Sequence, residues 1–198
     1  MSGAPARLTA MPPDTVSAAL LDFNVQLLDQ ALALVAAFEA PGAPPYAKQV
    51  GPHLRHVIEH HEALLFGSRP GEVDYDSRAR DRALEASPAL ARRRLLALQA
   101  RLQACAHQAD PPLQVRGLCG LHGETPFTVG STLNRELAFV ASHAVHHYAL
   151  LQAHCRQHGL VTAEVFGVAP ATVAHARADR ITPTSPQEPA CPLASTTA

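Results

Sequence analysis

The 198-residue sequence has no tryptophan and only 5% aromatic residues, so its core must be aliphatic, built from Leu, Ala and Val. Lys48 is its single lysine, and 16 basic residues stand against 17 acidic ones for a formal net charge of −1. The basic excess or stripe that nucleic-acid binding requires is missing, so no nucleic-acid partner is expected. The four cysteines (105, 119, 155 and 191) form no CxxC pair and read as ordinary thiols of an intracellular protein. Residues 1–14 lack the apolar run of a secretory signal. The most apolar stretch, 18–38, is interrupted by Asp22, Asn24, Gln26, Asp29 and Gln30, which makes it too polar for a spanning helix. No Ser–His–Asp arrangement, phosphate-binding glycine loop or dinucleotide motif is present. These absences point to a cytoplasmic protein with no membrane segment.

What is present is enough apolar sequence to fold: 47% hydrophobic against 17% charged residues, which excludes wholesale disorder. After a flexible N-terminus (1–13), Val16, Leu20, Leu21, Val25, Leu28, Leu32 and Val35 recur at spacings of three and four, predicting a long helix that ends before Pro41-Gly42. A second helix is predicted from about Tyr46 to Phe66, with Pro52 tolerated in its first turns. A polar connection (72–86) follows. Ser87 and Pro88 then start a third helix reaching about Gln108. Leu113–Leu118 and Pro126–Val129 flank a glycine-bearing turn and suggest a small hairpin. Ser131 or Thr132 caps a fourth long helix, from Leu133 to about His158, closed by Gly159. A short helix is suggested within 166–178, and the Pro-, Ser- and Thr-rich residues 179–198 read as a disordered tail. The expected architecture is therefore all-α, a four-helix bundle over 14–178 with a small hairpin between its third and fourth helices.

Twelve histidines are the unusual feature, and they cluster. On the second helix His53, His56 and His60 fall at i, i+3 and i+7, along one stripe, with His61 beside them. On the fourth, His143 and His147 are at i, i+4 on the face that also carries Val140 and Leu151, with His146 between them. A His–x3–His pair with a third imidazole from a neighbouring helix can hold one divalent ion and leave positions open for water or substrate. A lone helical histidine is ordinarily a surface or hydrogen-bonded core residue, which is how His107, His122, His154, His158 and His175 are read. Known bundle sites fail on the residues: no Glu-x-x-His for a di-iron carboxylate centre, no His on the first helix, no HExxH.

Residues 50–57 (VGPHLRHV) and the run from Arg135-Glu136-Leu137 through His143-Ala144-Val145-His146-His147 resemble the DinB-like superfamily, as do the 74–81 loop and residues 166–170 (FGVAP). The similarity covers about residues 15–177 and is closest to an uncharacterised bacterial subgroup. The resemblance implies a four-helix bundle with one divalent metal (Zn, Ni or Fe) on His56, His143 and His147, with His60 the substitute for His56 and His53 the third choice. Leu150 stands where family members often carry Gln, and Ala149 where the ergothioneine-type oxygenase relatives carry Glu, so neither relative's chemistry is carried over.

On that basis the expected function is a metal-dependent enzyme that activates a small-molecule thiol or water, of S-transferase or hydrolase type. The alternative is a non-catalytic metal- or small-ligand-binding protein acting as a homodimer or stress accessory. Glu59, Glu62 and Glu136 are candidates for orienting the imidazoles. The loop bearing Asp76, Arg78, Arg80 and Asp81 is either an Arg-bearing lid for a substrate carboxylate or a solvated loop with local ion pairs. Tyr75 and Tyr148 could bring a hydroxyl near the metal.

Overall fold

The computed structural model describes residues 15–67 and 69–181. The expected flexible N-terminus (1–13) and residues 182–198 of the expected tail (179–198) lie outside the described residues, while 179–181 are helical. Two compact units, 1–168 and 169–198, divide the chain. The first contains α1 (Ala18–Glu39), α2 (Val50–Leu65), β1 (Glu72–Asp74), α3 (Arg82–Ala86), α4 (Pro88–Ala104), β2 (Pro112–Cys119), β3 (Thr125–Thr132) and α5 (Leu133–Gln157); the second contains α6 (Pro170–Ile181).

The all-α expectation is corrected. The described residues, 58% of them helical, form six helices together with a three-stranded mixed sheet, so the protein is mixed α/β and not an all-α four-helix bundle. The overlooked elements lie in the polar connection 72–86. There β1 pairs in parallel with β2, setting Val73 opposite Val115. A strand of three residues shows no alternation of its own; it exists because a partner distant in sequence satisfies its backbone groups. Helix α3 begins at Asp81, whose side chain accepts the Ala83 N–H at 2.9 Å. Strands β2 and β3 are antiparallel from Pro112↔Thr132 to Cys119↔Thr125, so the hairpin is longer than the two apolar runs that suggested it. Its connection turns at Gly120 and Gly123, both at positive φ (93° and 68°), where a side chain would be strained.

The long helices begin where their caps place them. Ser87 Oγ accepts the Leu90 N–H at 3.1 Å, and Thr132 Oγ1 accepts the Arg135 N–H at 3.3 Å. Helices α1 and α2 each pack against α4 and α5. Leu28, Leu54, Leu95, Leu98, Leu102 and Leu137 are fully buried between them, each contributing roughly 1.5–3 kcal/mol of hydrophobic stabilisation. The buried Asn24 is tied into this core: its Nδ2 donates to Leu20 O (2.8 Å) and Leu137 O (3.1 Å). Close to the start of α2, Gly51 lets α3 approach, since a Cβ there would collide with the Glu85 backbone carbonyl.

Helix α1, with a mean hydropathy of 1.3, is long and apolar enough to cross a membrane by length and composition alone. It turns Leu21, Leu28, Leu34 and Val35 into the core, as core helices of soluble proteins that pass the same test do. The structure is compatible with a soluble protein.

Candidate metal centre

Because α2 packs on α5, their two histidine stripes meet. One donor nitrogen from each of His56, His60 and His143 lies within 4.8 Å of the other two, close enough for the three to hold a metal ion. The rings of His56, His143 and His147 are also mutual neighbours, with centroids 4.6 to 4.9 Å apart. The three residues named from the sequence are thus ring neighbours, while the set whose donor atoms all lie within 4.8 Å holds His60 beside His56 and His143 and does not include His147. His53 reaches the rim of the cluster, where its Nδ1 hydrogen-bonds Nδ1 of His147 at 2.9 Å. His146 is exposed, and His61 turns the other way, into the core against Asn24 (3.1 Å) and Val57 O (2.9 Å).

Burial holds these imidazoles neutral. Desolvation, reinforced by the Arg78 charge and by neighbouring histidines, lowers the pKa of His56 to about 4. At His60 desolvation outweighs the hydrogen bond to the His56 carbonyl and leaves the pKa at about 3. His147 falls to about 3, again mainly through burial, and His143 and His53 shift the same way for the same first cause. A neutral imidazole has the free lone pair a metal needs, and no proton has to be displaced to use it. At His60 the tautomer follows from its partners. Nδ1–H donates to the His56 carbonyl at 2.7 Å, which leaves Nε2 as the acceptor that the Arg78 guanidinium meets at 3.0 Å.

The carboxylates expected to orient the rings are engaged elsewhere. Glu59 accepts the Asp81 N–H at 2.7 Å, Glu62 pairs with Arg94, and the fully buried Glu136 accepts from Tyr75 OH (2.7 Å), Ser131 Oγ (2.6 Å) and Arg135. Of the two tyrosines, Tyr148 is far from the site in role: its hydroxyl donates to Leu27 O at 2.9 Å and its ring stacks on Phe166. Tyr75 stacks on His60 with centroids 5.5 Å apart. Its hydroxyl, bound to the Glu136 carboxylate, is held well above the ordinary phenol range, first by burial and then by that bond. Within the 74–81 loop, Asp76 accepts the Leu118 N–H, Asp81 caps α3 and pairs with Arg94, Arg80 is exposed, and Arg78 joins Tyr75 in reaching His60. Phe139, unmarked by the sequence reading, stacks on His143 at 5.8 Å and packs on Tyr75. It lies four residues before His143, so helical spacing could have found it.

The cluster suits a divalent ion by its own chemistry. Its donors are neutral nitrogens, and Nε2 of His143 is buried with no hydrogen-bond partner, a state that costs free energy unless something accepts its interaction.

No family model matches the chain, and no solved structure matches it. A curated protein, FK506-binding protein 5 of Rhizopus delemar, is 30% identical over 104 residues, which are 52% of this chain and 27% of that protein. The chain thus spans about a quarter of that relative's length.

Proposed function

We propose that the chain is a cytoplasmic, DinB-like metal protein holding one divalent ion on His56 and His143, with His147 or His60 as the third ligand. The observation that supports it is the meeting of three neutral imidazoles, His60 buried and His56 and His143 half-buried, around the unpartnered Nε2 of His143. A divalent ion on neutral imidazoles lowers the pKa of a bound thiol or water towards neutrality, which suits S-transfer to an electrophile or hydrolysis with no protein nucleophile. The residues around it perform the rest. His60 is fixed in one tautomer by the His56 carbonyl, Phe139 and Tyr75 cover the His143 and His60 rings, and Tyr75 stays protonated against Glu136.

A second reading, a metal- or small-ligand-binding protein without catalysis, is favoured by one observation: His53 already engages His147, and Arg78 already engages His60. Metal content by mass spectrometry on untagged protein tests the site itself. The expected result is about one ion per chain, as a three-imidazole site holds, lost in His56→Ala and in His143→Ala. Comparing His60→Ala with His147→Ala identifies the third ligand. Protein that stays metal-free after reconstitution with Zn, Ni and Fe refutes the proposal.

A further inference from the structure

Beside the histidines lies a cavity of about 670 Å³, lined among others by Glu59, Arg69, Glu72, Asp74, Arg78 and Arg116. Most of its charges satisfy one another. Arg69 and Arg116 both pair with Glu72 at 3.4 Å, and Asp74 is used by the backbone of Asp76 and Ser77. Two atoms are left over. Nε of Arg78 and Oε2 of Glu59 are buried without a hydrogen-bond partner, 4.0 Å from each other and too far apart to bond directly. The Arg78 and Glu59 side chains are only 11% and 2% exposed, so solvent does not relieve them.

Arg78 also has an uncommon acceptor. One face of its guanidinium work is spent on the Tyr75 carbonyl, and the same NH1 meets Nε2 of His60, the lone pair a metal would take. It therefore forms the wall between cavity and cluster, touching both.

We infer that this cavity binds a small molecule carrying a carboxylate, which Arg78 receives as it releases His60. A planar carboxylate matches the guanidinium fork and supplies the acceptor that Nε lacks. The Glu59 carboxylate, 4.0 Å from Arg78, penalises a doubly charged phosphate more than a singly charged carboxylate. Oε2 of Glu59 calls for a donor, which an amino or hydroxyl group next to the carboxylate provides. The coupling to metal rests on the proposed metal centre. Drawing Arg78 to the anion frees Nε2 of His60, so anion and metal each tighten the other's binding by the same factor.

Acetate is the probe, and two measurements keep the parts separate. First, acetate binding to metal-free protein is read by saturation-transfer NMR on wild type, Arg78→Gln and Arg78→Lys, with melting curves confirming that each variant folds. Binding in wild type that is lost in Arg78→Gln supports the inference; no binding in wild type, or equal binding in Arg78→Gln, overturns it and leaves the Glu59–Arg78 gap to water. Second, Zn²⁺ affinity is titrated calorimetrically with and without acetate. The expected result is about tenfold tighter Zn²⁺ binding in Arg78→Gln than in wild type, with acetate tightening wild type only. Acetate acting equally on both proteins means that it ligates the ion directly, which overturns the coupling. Failure of wild type to bind Zn²⁺ at all refutes the metal centre and leaves the acetate result standing by itself.

Discussion

His61 sits between two acceptors, the Val57 carbonyl at 2.9 Å and Asn24 Oδ1 at 3.1 Å, and is completely buried. The two influences oppose each other. Two acceptors favour a doubly protonated ring, since a neutral imidazole has one N–H for two oxygens; a charge-assisted bond of this kind contributes about 1.5–3 kcal/mol. Burying the resulting cation costs several kcal/mol more than that, roughly, because no carboxylate faces it. Desolvation therefore wins, and the pKa drops from 6.5 to about 4. The sign follows. Below pH 6.5 the unfolded chain takes up a proton that the folded chain refuses, so stability is intact above that pH and declines as pH falls towards the folded value. At about 1.4 kcal/mol per unit, the loss attributable to His61 by pH 4 is about 3 kcal/mol. Urea unfolding of metal-free protein across this range, in wild type and His61→Phe, isolates it. The variant is less stable near neutral pH because Asn24 loses a partner, so the readout is the slope with pH and not the offset. Wild type should lose about 3 kcal/mol more than the variant. Equal slopes would refute the reasoning, and a wild type that gains on acidification would show that the two acceptors outweigh burial.

Gly51→Ala forces a methyl into the Glu85 carbonyl, so α3 must shift; a loss of about 1–3 kcal/mol in thermal or urea unfolding is expected, against none if the helices simply separate without strain. Tyr75→Phe removes one of three donors to the buried Glu136 and should cost about 1–3 kcal/mol by the same assay, while the Ser131 and Arg135 hydrogen bonds remain.

The long helices were legible because each is specified locally: apolar positions at three and four, hydroxyl caps of which Ser87 and Thr132 accept the Leu90 and Arg135 N–H groups, proline and glycine at ends. The sheet was only half legible for the converse reason. The hairpin strands are joined by a short glycine-bearing turn and leave a local signature, whereas β1 is three residues whose only specification is β2, far along the chain and parallel to it. Composition pointed away from it, since the segment 72–86 is polar. That polarity has other work: Asp74 closes its own turn, Asp76 ties the loop to β2, and Asp81 starts α3.

At the histidines, spacing told which rings share a face and left open which share a point. His143 and His147 are one turn apart on α5, and His53, His56 and His60 share one stripe of α2, so each helix offers more than one candidate by spacing alone. What separates them is what already holds each ring. His147 is met by His53, a neutral neighbour whose hydrogen bond is worth about 1 kcal/mol net and is easily exchanged. His60 is met by Arg78, a cation that must move or find another acceptor before its lone pair is free. In the proposed metal centre the choice of third ligand therefore turns on Arg78, a loop residue that no histidine pattern contains: its hydrogen bond to Nε2 of His60 opposes that ligand, and the proposed anion, by drawing Arg78 away, would bring it into play.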